Sequence, residues 1–262
     1  MKKTVTQQSG FTLTELMITV GLSLSIISSV LVGYLGTYTG SMDTLSSSKV
    51  NQDLSALMNL MVNDIRRTGY SGDPTVASTP TNNLFNVNGV TALEVYDSAT
   101  TNNQVAATGS GSCIVYAYDR DEDGVVDADE LSGFRLVAGV VQMRTAGNVL
   151  NPDTCADFNN TWTALTDPGL VTVTNLTFDL SGSSCINTRE PDNIDNDASG
   201  VADNAEEADC YDAPLPTNGS GDITIETRQV TITLTGNLAS DAFVRQTQTQ
   251  NVRIRNDMVR IR

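Results

Sequence analysis

The chain has 262 residues, with 31 Asp or Glu against 15 Lys or Arg, so its net charge is −16. A charge of this sign repels phosphate backbones, which argues against nucleic-acid binding. Histidine is absent, which excludes Ser-His-Asp and Cys-His catalytic groups and most zinc or copper sites. We therefore expect no enzyme, although carboxylate-only catalysis is compatible with the composition. The length favours one sizeable domain plus an appendage.

The N-terminal part of the chain contains an uncharged segment long enough to cross a membrane. From Leu16 to Met42 there are 27 residues without a formal charge. As a helix this is about 40 Å, against roughly 30 Å of hydrocarbon. Lys2 and Lys3 precede it, so the positive-inside rule predicts a cytoplasmic N-terminus with the rest of the chain outside. A plain anchor is the simpler alternative, whereas a cleaved secretory signal would be shorter and free of acids.

Glu15 is the unusual residue at the start of this segment. A carboxylate at the centre of a membrane helix costs about 2.5–3.5 kcal/mol, so it usually has a functional partner. Ser9-Gly10 followed by Phe11-Thr12-Leu13-Thr14-Glu15-Leu16 resembles the class III signal of type IV pilins and pseudopilins.

The resemblance implies a processing route and a set of partners. A prepilin peptidase would cut between Gly10 and Phe11 and methylate the new N-terminus. Glu15 would then pair with the N-terminal amine of a neighbouring subunit. This ion pair would avoid the free-energy cost of leaving either charge unpaired in lipid. The implied location is the bacterial inner membrane, with the head in the periplasm and later in an extracellular pilus. The implied partners are the peptidase, other minor pilins, major pilins and the membrane.

Further resemblance narrows the family. The segments 54–72, 228–238 and 251–256 are similar to the PilW family of minor pilins, which implies a role in initiating pilus assembly or at the tip. A J-type minor pseudopilin of type II secretion is the close alternative. A membrane-tethered, calcium-dependent hydrolase or adhesin is the alternative of another class. An adhesive role at the pilus tip, with a surface ligand, is compatible with the minor-pilin interpretation.

The predicted fold is α+β, with one long N-terminal helix packed on an antiparallel β-sheet head. Residues 1–10 are the leader, 11–42 the transmembrane and assembly helix, 43–69 an amphipathic helix half, and 70–262 the periplasmic head. Apolar residues at helical spacing from Val50 to Ile65 indicate the half that faces a core. Gly69 predicts the helix stop. Six alternating segments predict strands: 90–97, 113–119, 134–143, 170–180, 223–234 and 252–261.

Two acidic segments in the head have the spacing of calcium loops. The first reads DRDEDGVVDADE over 119–130 and has a glycine, Gly124, at position 6, where such loops turn sharply. Its predicted ligands at positions 1, 3, 5, 7, 9 and 12 are Asp119, Asp121, Asp123, the Val125 carbonyl, Asp127 and Glu130. The flanking segments are strand-like, so we expect the loop without the two helices of an EF-hand.

The second acidic segment, DNDASGVADNAE over 195–206, repeats this spacing. Its predicted ligands are Asp195, Asp197, Ser199, the Val201 carbonyl, Asp203 and Glu206. Asp192 or Glu207 are alternatives, since Ser199 is a weak ligand. Together the two segments predict two Ca²⁺ sites; a solvated acidic loop is the simpler interpretation of each.

Four cysteines surround these loops. Cys113 and Cys155 bracket the first loop, and Cys185 and Cys210 bracket the second. Three pairings are open from sequence. Sequential pairing is favoured because it would close each acidic segment and constrain the unfolded chain. Free thiols remain the alternative, although an exported head permits disulfides.

Overall fold

The computed structural model describes residues 10–73, 82–101, 103–156, 159–195, 197–211 and 223–261. The chain forms two compact units, Met1–Ser48 and Lys49–Arg262. Apart from Gly10, the predicted leader lies outside the described residues. One helix, α1 (Leu13–Ile65), runs through both units, and antiparallel sheets follow it, so the predicted α+β class is confirmed.

In the first unit, α1 is exposed on every side and is long and apolar enough to cross a membrane by length and composition. This is compatible with a single-pass anchor. The segment contains many Ser and Thr residues, yet their hydroxyls bond to the helix itself. For example, Ser23 donates to the Thr19 carbonyl at 2.7 Å and Ser28 to the Leu24 carbonyl at 2.7 Å. Hydroxyls paired in this way lower the cost of placing such residues in lipid.

In the second unit, one face of α1 forms part of the core. The buried helix residues recur at helical spacing: Val50, Leu54, Leu57, Met58, Met61, Val62 and Ile65. They pack with buried strand residues such as Phe134 and Phe178. Leu54 lies against Gly236, where an added Cβ would come within 3.0 Å of the leucine side chain. Glycine therefore lets helix and sheet approach closely at this point.

Three antiparallel sheets make up the rest of this unit. The strands in the described residues are β1 Glu94–Tyr96, β2 Ser110–Gly111, β3 Cys113–Ala117, β4 Leu131–Val137, β5 Val140–Ala146, β6 Thr161–Ala164, β7 Val171–Asp179, β8 Ser184–Asn187, β9 Ile223–Thr227, β10 Gln229–Leu238, β11 Asp241–Arg253 and β12 Met258–Ile261, with a short helix α2 at Ala205–Ala208. The sheet orders are β1-β3-β4-β5-β6, β11-β10-β7-β2 and β12-β9-β8.

Several predicted boundaries differ from the observed ones. The single strand expected over 134–143 is wrong: Ala138 and Gly139, with φ of 49° and 81°, turn the chain between β4 and β5. Positive φ at both positions is typical of a type I′ hairpin. The segment 223–234 is divided at Arg228 between β9 and β10. Helix α1 ends at Ile65, and Gly69, at φ 71°, donates its N–H to the Ala117 carbonyl.

Candidate functional site

The first acidic loop joins β3 to β4, as expected from its strand-like flanks. It brings together Asp119, Asp121 and Asp123, each of which offers one carboxylate oxygen within 4.8 Å of the others. Asp119 is buried, at 1% exposure, whereas the other two are exposed. Three carboxylates at this separation repel one another, and hard cations prefer such oxygen ligands. The group is therefore able to hold a metal ion.

Backbone N–H groups shape this loop around Asp119. Its carboxylate accepts hydrogen bonds from Gly72 at 2.8 Å, Glu122 at 2.7 Å and Gly124 at 3.2 Å. Gly124 has φ 75°, a conformation that glycine adopts without a steric cost. Asp123 in turn accepts from the Val125 N–H at 2.8 Å. The aspartates thus fold the loop as well as carrying its charge.

Glu130, the predicted last ligand, is buried at 1% exposure at the end of the loop. Its carboxylate accepts the N–H of Arg120 at 2.6 Å and that of Asp127 at 3.0 Å. Burial raises the pKa of Glu130, and the charges of Asp119 and Asp121 add to this, while the two N–H donors lower it. Among the described residues, the group that could hold a metal ion does not include Asp127 or Glu130.

The second acidic loop, between β8 and α2, repeats the turn of the first loop. Gly200, at φ 89°, donates its N–H to Asp195 at 2.8 Å, as Gly124 does to Asp119. The Ser199 N–H donates to Asp197 at 2.9 Å. The group that could hold a metal here consists of Asp195, Asp197 and Glu207.

The second half of this loop is shifted by one residue relative to the predicted spacing. Glu207 is buried at 3% exposure and accepts the Asn204 N–H at 2.9 Å, as Glu130 accepts that of Asp127. Glu206, the predicted ligand, is exposed. Asp203 has φ 55° and lies in another acidic group, with Glu190 and Asp192. Glu207 is thus the structural counterpart of Glu130, with one extra residue before it.

The side-chain amide of Asn204 lies among the remaining predicted ligands. Its Nδ2 donates to Asp197 at 3.1 Å, to the Ser199 hydroxyl at 3.1 Å and to the Val201 carbonyl at 3.2 Å. The hydrogen bond from the Asn204 amide, followed by that from the Ser199 N–H, lowers the pKa of Asp197 to about 2. A neutral donor therefore faces the oxygens that would bind a cation. An N-cap asparagine three residues before a glutamate is the sequence signal for this arrangement.

Both sequentially paired disulfides are present. Cys113 bonds to Cys155 and Cys185 to Cys210, with Cα–Cα distances of 6.3 Å and 5.3 Å. The first packs in a small buried cluster with Tyr96 and Val115. The second ties β8 to Cys210, two residues after the end of α2. Each acidic loop is therefore enclosed in a covalently closed segment.

A family model described as "Prepilin peptidase-dependent protein B" matches residues 43–254. The chain belongs to this family. No curated protein and no solved structure matches it. The prepilin peptidase-dependent protein B family is pilin-related and structural, and it is not a known enzyme family.

The sequence motif over residues 9–15 lies before the matched region. Gly10 and Phe11 are exposed, and α1 begins two residues later. The Thr12 N–H and hydroxyl donate to Glu15 Oε2 at 3.0 Å and 2.8 Å, and the Glu15 N–H donates to the Thr12 hydroxyl at 3.3 Å. This is a capping box, a role that the sequence pattern Thr-x-x-Glu could have indicated. Glu15 Oε1 accepts no hydrogen bond from the described residues.

Proposed function

We propose that this chain is a PilW-like minor pilin of a type IV pilus, cut by a prepilin peptidase between Gly10 and Phe11 and methylated on Phe11. The observation that carries the proposal is the agreement of two separate regions. The motif over residues 9–15 lies outside the matched residues 43–254, yet both indicate prepilin peptidase processing. Production of the full chain with and without a prepilin peptidase, followed by mass measurement, tests it.

In this proposal α1 is stored in the bacterial inner membrane before assembly. The N-terminus is cytoplasmic and the head periplasmic, and the subunit then enters an extracellular pilus with other minor and major pilins. The self-paired Ser and Thr hydroxyls support the membrane step, because they leave few polar groups without partners in lipid. A role in initiation or at the tip rests on the PilW resemblance alone.

Glu15 is the proposed assembly carboxylate. Oε2 is used by the capping box, so Oε1 remains for the amine of a neighbouring subunit. The same carboxylate then performs two tasks: it satisfies the first backbone donors of its own helix, and it pairs with a second chain. A pair of opposite charges in lipid avoids the cost of leaving either one alone.

We further propose that the two acidic loops each bind one Ca²⁺. The first site would use Asp119, Asp121 and Asp123, with the Val125 carbonyl, Asp127 and Glu130 as further ligands. The second would use Asp195, Asp197, Ser199, the Val201 carbonyl and Glu207. Calcium accepts six to eight oxygen ligands in flexible geometry, which suits loops of this kind. Binding would stabilise the head, because a cation neutralises the converging carboxylates.

Asn204→Asp is expected to raise the calcium affinity of the second loop by about tenfold, because affinity in such loops rises with ligand charge. The change replaces an amide donor with a carboxylate facing Asp197, Ser199 and Val201. Aspartate also keeps the N-cap of α2. Calorimetric titration of the full chain measures the effect. Asn193→Asp, an equal charge change at an exposed residue of the same loop, is the control. An unchanged affinity in Asn204→Asp would contradict the proposed ligand set.

A further inference from the structure

A basic pocket lies beside the C-terminal end of α1, outside both acidic loops. Its cavity volume is about 440 Å³, and its lining residues are Asn63, Arg66, Arg67, Tyr70, Arg255 and Asn256. Three arginines thus share one pocket in a chain whose net charge is −16. The pocket is therefore basic, although the chain as a whole is acidic.

The two walls of this pocket come from distant parts of the sequence. Arg66 and Arg67 follow the last residue of α1, and Arg255 lies between β11 and β12. The Asn256 side chain joins the walls, since its Nδ2 donates to the Thr68 carbonyl at 2.9 Å. The fold therefore brings the two segments together as the lining of one pocket.

Among the described residues, some other arginines of the head form ion pairs. Arg228 and Arg260 both pair with Glu226, and Arg253 approaches Asp257 at 3.9 Å. Within the described residues, no carboxylate forms an ion pair with Arg66, Arg67 or Arg255.

Two acids next to pocket residues accept tyrosine hydroxyls, and Asp257, two residues after Arg255, approaches Arg253 instead. Asp64 is buried and accepts the hydroxyls of Tyr116 at 2.6 Å and Tyr118 at 2.9 Å. Glu122 accepts the Tyr70 hydroxyl at 3.0 Å. The negative end of the α1 dipole favours cations here, but this effect is worth only about 0.3–1 kcal/mol at an exposed site. The Arg67 guanidinium lies over the Tyr118 ring, 5.8 Å from its centroid. Three arginines that line one pocket without an ion-paired carboxylate among the described residues favour an anionic ligand.

We propose that this pocket binds an acidic peptide segment of a neighbouring protein. Guanidinium groups match carboxylates in geometry as well as charge. Asn256 lines the pocket; its Nδ2 donates to Thr68, and its side-chain carbonyl oxygen accepts no hydrogen bond from the described residues. A carbonyl oxygen can accept a hydrogen bond from a peptide N–H. It cannot pair with an ionised phosphate, whose oxygens are all acceptors. Complementary charge would also set the orientation of the docked segment.

The test uses the full chain in detergent and calcium-free buffer, with a hexaglutamate peptide as the probe. We expect hexaglutamate to bind with an affinity that falls as salt is added. We expect a hexaglutamine peptide not to bind. Arg66→Gln and Arg255→Gln should each weaken binding by about tenfold, as expected for a lost charged hydrogen bond. Arg245→Gln, the same change at an exposed residue near the other end of β11, should leave binding unchanged.

Three results would overturn the proposal. The first is no hexaglutamate binding by the wild-type chain. The second is equal binding by Arg66→Gln, Arg255→Gln and Arg245→Gln, which would indicate attraction to no particular site. The third is inorganic phosphate that binds the pocket and displaces the peptide at equal concentration, which would make the pocket a phosphate site. Thermal unfolding of each variant confirms that the head is folded. The proposal does not depend on pilus membership or on calcium.

Discussion

Glu15→Gln is expected to reduce incorporation of the chain into pili by at least about tenfold, because an unpaired amine in a low-dielectric site costs about 3–5 kcal/mol. Glutamine retains the side-chain acceptor of the capping box with Thr12, so the helix start is preserved. Only the negative charge is lost. The measurement is the amount of chain in sheared pili relative to the amount in the membrane.

Glu15→Ala provides the comparison, because it removes both the charge and the cap. If the charge pair matters, Glu15→Gln and Glu15→Ala should be similarly defective while membrane levels stay normal. If Glu15→Gln assembles like the wild-type chain, the carboxylate acts only as a helix cap, and the proposed pair with a neighbouring amine is wrong.

The effect of Asp121→Asn on stability, relative to wild type, should change sign between chelator and calcium. In chelator, the variant should be at least as stable as wild type, because it removes one of three like charges within 4.8 Å, worth about 1 kcal/mol. At calcium a hundredfold above the dissociation constant, each intact site should add about 2.7 kcal/mol. That corresponds to a Tm increase of roughly 5–10 °C. The variant should lose the contribution of the first loop.

The control for this reversal is Asp129→Asn. Asp129 is exposed in the same loop and lies outside the group of three carboxylates, so the charge change is matched. Its stability relative to wild type should be the same with calcium and with chelator. Fluorescence of Trp162, the single tryptophan, reports unfolding of the head. A wild-type chain whose Tm does not rise with calcium would contradict both proposed sites.

The elements predicted well are those whose local residue pattern reflects their burial or their turn geometry. Val50, Leu54 and Met58 recur at helical spacing because one face of α1 is buried. The strand over 170–180 alternates because one face of β7 packs in the core. The turn positions Gly124 and Gly200 were also readable, since an acidic loop needs positive φ at its sixth residue.

The elements missed depend on contacts that local patterns do not contain. Strand β11 is a largely exposed edge strand, and Gln and Thr alternate in it, so that both of its faces are polar. The apolar alternation that predicts a strand is therefore absent there. The extra residue in the second loop is the exception: the capping pattern Asn204-x-x-Glu207 signals it, and Glu207 rather than Glu206 is buried. The basic pocket unites Arg66 with Arg255 through tertiary packing, which spacing along the chain does not reveal.

The central claim is that a prepilin peptidase processes this chain at Gly10. The most direct test is the intact mass and N-terminal sequence of the full chain produced together with such a peptidase. We expect loss of the first ten residues, a new N-terminus at Phe11 and the added mass of one methyl group. Gly10→Val should keep the full mass. A wild-type chain that retains residues 1–10, or is cut elsewhere, would contradict the account.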